Sequence, residues 1–89
     1  MLIRSQNKRI LINMNNVSSI EVGDNELRIF ADDGETIYDL GSYSTKAKAM
    51  KVLDMIQEAY ERYEYEKVFK TGLTLFETFQ MPEDSEVEV

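Results

Sequence analysis

Apolar and polar positions alternate through the first half of the chain, then switch to a helical period. Leu2–Ser5 and Arg9–Asn13 read as strands around Gln6-Asn7-Lys8, a tight turn. Met14-Asn15-Asn16 interrupts the pattern, and Val17–Val22, Glu26–Ala31 and Glu35–Leu40 resume it, separated by Gly23-Asp24-Asn25 and Asp32-Asp33-Gly34. Alternation of this kind marks half-buried strands. Asp-Gly between two apolar runs signals a hairpin, because both central residues of a type I′ turn need positive φ.

The pattern also predicts a register. With Asp33-Gly34 as a two-residue turn, Ile29 opposes Tyr38 and Leu27 opposes Leu40 on one apolar face. Arg28 then opposes Asp39, and Phe30 opposes Ile37, on the other. A turn at Asp24-Asn25 pairs Val22 with Leu27, Ile20 with Ile29 and Glu21 with Arg28. The rival turn at Gly23-Asp24 would oppose Glu21 to Glu26, a like-charge pair, and is disfavoured. Arg28 is therefore expected between Glu21 and Asp39, as a solvated cross-strand charge ladder rather than a catalytic group.

From Thr45 onward, Ala49, Val52, Leu53, Ile56, Ala59, Tyr60 and Tyr63 fall on one stripe at 100° per residue, with Lys51, Asp54, Glu58, Glu61 and Arg62 opposite. Ser44 or Thr45 supplies the N-cap oxygen. The helix reaches at least Tyr63 and extends at most to Lys70, before Gly72. Its stripe covers the apolar face of the meander. Leu73–Met81 is ambiguous; its Thr and Phe content favours a strand closing a sheet edge, within the chain or on a partner, and Pro82 ends it. The expected fold is α+β: an antiparallel meander, one long amphipathic helix across it and a C-terminal strand. Residues 1–82 form the single domain, and residues 83–89 an acidic, flexible tail.

Composition narrows the chemistry. The 89 residues contain neither cysteine nor histidine. That removes disulfides, thiolate metal sites, the Cys nucleophile and the side chain most used for proton transfer near neutral pH. The remaining carboxylates, Lys, Tyr and Ser show no catalytic spacing, so no enzyme, cofactor or metal is expected. Asp32, Asp33 and Glu35 offer oxygen ligands, but a hairpin tip explains them. No apolar run is long enough to span a membrane and no signal-peptide pattern opens the chain, which places it in the cytoplasm.

Charge is uneven. The net charge is −7, with eight acids and seven bases in residues 1–56 but nine acids and three bases in residues 57–89. Duplex nucleic acid is not an expected direct partner.

Four segments, Ile3-Arg4-Ser5-Gln6, Leu40-Gly41-Ser42-Tyr43-Ser44-Thr45, Ala49-Met50-Lys51-Val52-Leu53-Asp54-Met55-Ile56 and Phe79-Gln80-Met81-Pro82, resemble a group of small proteins from Gram-positive bacteria and their prophages. The resemblance implies a compact accessory protein of phage origin. It raises the class of stoichiometric inhibitors of host proteins, including anti-defence proteins of the anti-CRISPR kind.

Three surfaces are candidates for contact. Lys46, Lys48 and Lys51 crowd the helix start beside Ser42, Ser44 and Thr45, where cations oppose the helix dipole. Such a cluster suits an anionic nucleotide, held at an oligomer interface, or is a solvated face. Phe30 and Ile37 project near Val17, away from the helix, and need cover, from the first two strands through Ile10 and Ile12 or from a second copy in a homo-oligomer. Glu58, Glu61, Glu64 and Tyr65 form an acidic helix end suited to a basic host protein. The leading expectation is protein binding through Glu58, Glu61, Glu64, Tyr65, Phe30 and Ile37. Nucleotide sequestration at the lysines is the alternative, and a structural or assembly subunit is the third.

Overall fold

The computed structural model describes residues 1–23, 27–69 and 78–89. In chain order the elements are β1 (Leu2–Arg4), β2 (Leu11–Asn13), a 3₁₀ turn (Met14–Asn16), β3 (Ser19–Val22), β4 (Arg28–Asp32), β5 (Ile37–Ser42), α1 (Lys46–Phe69), β6 (Thr78–Gln80) and a second 3₁₀ turn (Asp84–Glu86). The fold is α+β, as the hydrophobic pattern predicts. One sheet is the antiparallel meander β3-β4-β5; the other has the order β2-β1-β6, with β6 parallel to β1. β6 thus closes a sheet edge within the chain. The Leu73–Glu77 part of the predicted strand lies outside the described residues, as do Asp24-Asn25 and Gly72.

The two sheets and the helix share one core. Ile3 and Ile12 come from the first sheet, Ile29, Ala31 and Leu40 from the meander, and Ala49, Val52, Ile56 and Ala59 from α1, all buried. Of the predicted helical stripe, Ala49, Val52, Ile56 and Ala59 are buried, Tyr60 and Tyr63 pack against its end, and Leu53 is half-buried. Thr45 is the N-cap: its Oγ1 accepts from the Lys48 amide at 3.1 Å and its carbonyl from the Ala49 amide at 3.1 Å.

Both meander hairpins differ from the predicted register. Ala31 opposes Tyr38 and Phe30 opposes Asp39; Val22 opposes Ile29 and Glu21 opposes Phe30. Asp33 explains the longer second loop. Its Oδ1 accepts from the amides of Glu35 at 2.9 Å and Thr36 at 2.7 Å, while Asp32 Oδ1 accepts from Gly34 at 2.7 Å. These side-chain bonds build an Asx-type loop in place of a two-residue turn, and only Gly34 takes positive φ there. Those amides hold the Asp33 carboxyl below its ordinary value. In the first hairpin the shift is two residues; in the second it is two from Phe30 to Asp32 and three at Arg28 and Ile29, across an irregularity between Ile29 and Phe30. Ile29 and Leu40 stay buried, as predicted. Arg28 pairs with Asp39, diagonally rather than directly opposite, and not with Glu21. Both partners are nearly half exposed, so the pair contributes at most about 1 kcal/mol.

Gln6 ties the sheets together. Its amide donates to the Leu40 carbonyl at 2.7 Å, its Nε2 to the carbonyls of Ser42 at 3.0 Å and Pro82 at 3.2 Å, and its Oε1 accepts from the Ser42 amide at 3.1 Å. Gly41 permits this approach, since a β-carbon there would sit 3.0 Å from Gln6 Cβ. Gly41→Ala should therefore push Gln6 off β5 and cost about 1–3 kcal/mol, measured by urea denaturation.

Candidate functional site

The lysine-rich helix start does hold an anion, and the chain itself supplies it. Asp84 folds back from beyond Pro82. Its Oδ1 accepts from the Ser44 amide at 2.7 Å, and its Oδ2 lies 3.4 Å from Lys48 Nζ, which also donates to the Asp84 carbonyl at 3.0 Å. The Ser44 amide is the leading cause that holds the Asp84 carboxyl below its ordinary value, and Lys48 adds to it. Of the predicted anion-binding set, Ser44 and Lys48 meet on this carboxylate. Thr45 uses its hydroxyl to cap the helix. Ser42 gives its amide and carbonyl to Gln6. Lys46 and Lys51 are exposed; Lys46 lines a groove with Glu21 and Phe30.

The segment after Pro82, expected as a flexible acidic tail, carries packing that its composition conceals. Val87 is buried in the common core. Glu83 and Glu86 close a small loop: the Glu83 amide donates to Glu86 Oε1 at 2.9 Å and the Glu86 amide to the Glu83 carbonyl at 3.0 Å. Buried Tyr43 donates its hydroxyl to the Pro82 carbonyl at 2.8 Å. Burial first, then the charges of Glu83, Asp84 and Glu86, pushes the Tyr43 hydroxyl far above its ordinary value. Asp84, Gln6, Tyr43 and Val87 were not singled out from the sequence. The signal available was charge: Lys46, Lys48 and Lys51 at one end, Glu83-Asp84-Ser85-Glu86 at the other.

The sheet-face candidate is rearranged. Ile37 is 66% exposed and Phe30 half-buried, but they are diagonal neighbours rather than an opposed pair. Ile12 is buried in the common core, and Ile10 and Val17 pack against it. Phe30 leans towards the β3 side: a β-carbon added at Gly23 would sit 3.0 Å from its ring.

The acidic helix end divides. Glu58 and Glu61 are exposed, and Tyr65 and Val68 stand 64% and 65% exposed. At 100° per residue Asp54, Glu58, Glu61, Tyr65 and Val68 lie on one side of α1. Gln57 Nε2 donates to Glu61 Oε1 at 3.0 Å. Glu64 is different: it is half-buried and accepts a hydrogen bond from Tyr60, whose hydroxyl it holds above its ordinary value. Tyr60 also stacks on Tyr63, with centroids 6.4 Å apart, so this aromatic pair serves packing. Among the described residues, no helix is long and apolar enough to cross a membrane. Comparison with protein-family models, with curated proteins and with solved structures finds no match to this chain.

Proposed function

We propose that the protein is a non-enzymatic accessory protein of phage or prophage type that binds and inhibits a host protein, an anti-defence inhibitor of the anti-CRISPR kind. The observation that carries the binding role is the solvent side of α1. Two large apolar side chains, Tyr65 and Val68, are each about two-thirds exposed beside Glu58 and Glu61. Exposed apolar groups on a mainly acidic surface suit a partner with a basic, partly apolar surface. Inhibition follows by occlusion: the acidic face covers a basic channel that would otherwise hold nucleic acid. The phage and host assignment comes from the sequence resemblance. Against the nucleotide alternative, Asp84 already occupies two of the donors it would use, the Ser44 amide and Lys48 Nζ.

Co-purification tests this reading. The tagged protein should elute from host lysate with one protein at fixed stoichiometry by light scattering. Replacing Glu58 and Glu61 with Lys, and Tyr65 with Ala, should weaken that association at least tenfold, about 1.4 kcal/mol or more. Recovery of the same partner by this triple variant at undiminished affinity contradicts the proposal.

A further inference from the structure

We infer that the outer edge of β3, with the groove between β3 and α1, accepts an extended peptide segment of alternating basic and apolar residues from the partner protein. This rests on the reading of the chain as a protein-binding module and names a second contact on it.

The edge comes first. β3 ends its sheet, and among the described residues no strand pairs with its outer side. The Gly23 amide donates to the Arg28 carbonyl at 2.9 Å, which fixes the phase of the ladder. Only alternate residues of an antiparallel strand bond to a given neighbour, so Ser19 and Glu21 face β4, and the amides and carbonyls of Ile20 and Val22 face outward. Those four groups are what an added strand binds.

Beside this edge runs an apolar groove of about 470 Å³, with Val17 and Ile20 on one wall and Leu53, Ile56 and Tyr60 on the other. A second groove continues it past Leu53 to Val22, Phe30 and Met50. An added strand would turn alternate side chains into this trough. Charge selects the remainder. The charged residues along the two grooves are Glu21, Glu61 and Lys46, on a chain of net charge −7. Glu21 sits on the face opposite Ile20, where the other alternate side chains of an added strand would lie, and basic residues there complement it. A second copy fits poorly. A two-fold axis between Ile20 and Val22 sets Glu21 directly opposite its own symmetry mate, between two strongly acidic chains.

The test uses the ¹⁵N-labelled full chain and two pools of acetylated nonapeptides. One pool alternates Lys or Arg with Val, Ile or Leu; the other has Glu in place of the basic residues. The basic pool should shift the amide signals of Ile20 and Val22 and slow their hydrogen exchange at least tenfold, and the acidic pool should do neither. Glu21→Lys should reverse the order of the two pools. Val22→Pro removes an outward amide without breaking the bonds to β4, and should weaken binding of the basic pool at least tenfold; if it fails to fold, Glu21→Lys alone decides. Shifts confined to Glu58, Glu61 and Tyr65 overturn the β3 inference while supporting the helix face as a contact surface. Absence of shifts with either pool also overturns it, and co-purification then judges the broader reading separately.

Discussion

Leu40→Ala is expected to lower the free energy of unfolding by about 2–5 kcal/mol, the range for truncating a fully buried leucine. Leu40 has no exposed surface and stands where the parts of the fold meet. Its side chain joins the core shared by both sheets and α1, and its carbonyl accepts the Gln6 amide at 2.7 Å. A domain of this length has only about 4–13 kcal/mol in total, so the variant sits near the limit of folding. Ile37→Ala, three positions away on the same strand, should change stability by no more than about 0.5 kcal/mol, because Ile37 is largely exposed. Urea denaturation followed by circular dichroism measures both. Similar losses for the two variants would mean that the core is not where this structure puts it.

Removal of residues 83–89 should be the next most damaging change. Burial of Val87 alone contributes about 1.5 kcal/mol. The truncated chain also loses the carboxylate that satisfies the Ser44 amide and faces Lys48. Each kcal/mol lost lowers the melting temperature of a domain this size by about 4–8 °C. The electrostatic share depends on pH with a definite sign. Asp84 is held below its ordinary value of 3.8 in the folded chain, so its stabilisation is complete above that pH and vanishes as the pH falls through the lowered folded value. The gap in melting temperature between full-length and truncated chains should therefore narrow in acid but not close, because Val87 remains buried at any protonation state. Melting curves of both chains between pH 7 and pH 3 check this. Equal melting temperatures at pH 7 would contradict a docked C-terminal segment.

Local periodicity made much of the fold legible. The strands of the meander and the helical stripe from Ala49 to Tyr63 follow directly from spacing, because each element buries one face. The hairpin loops escaped by two residues, since the bonds that lengthen the second come from Asp33 side-chain oxygens that a turn motif does not register. Side-chain direction repeats every two residues, and the irregularity between Ile29 and Phe30 takes up the odd residue, so Ile29, Ala31 and Leu40 stay buried. Pairing of β6 with β1 joins residues far apart in sequence, and nothing local specifies it. Of the lysines at the start of α1, Lys48 meets an anion that the chain itself supplies, Asp84. That source was hidden because Val87, the residue that docks the acidic segment, looks in sequence like any isolated valine among glutamates.

We propose that the chain meets its partner through the acidic side of α1 and not through its lysine-rich start. A side-by-side measurement decides it: the amount of partner protein captured from host lysate by the wild-type chain, by Glu58→Lys with Glu61→Lys, and by Lys46→Glu with Lys51→Glu. Both lysines in the last variant are exposed and lie outside the Asp84 contact, so the fold should hold. The glutamate variant should lose the partner at least tenfold while the lysine variant retains it. Capture that survives the glutamate changes and disappears with the lysine changes would move the contact surface to the lysine-rich start.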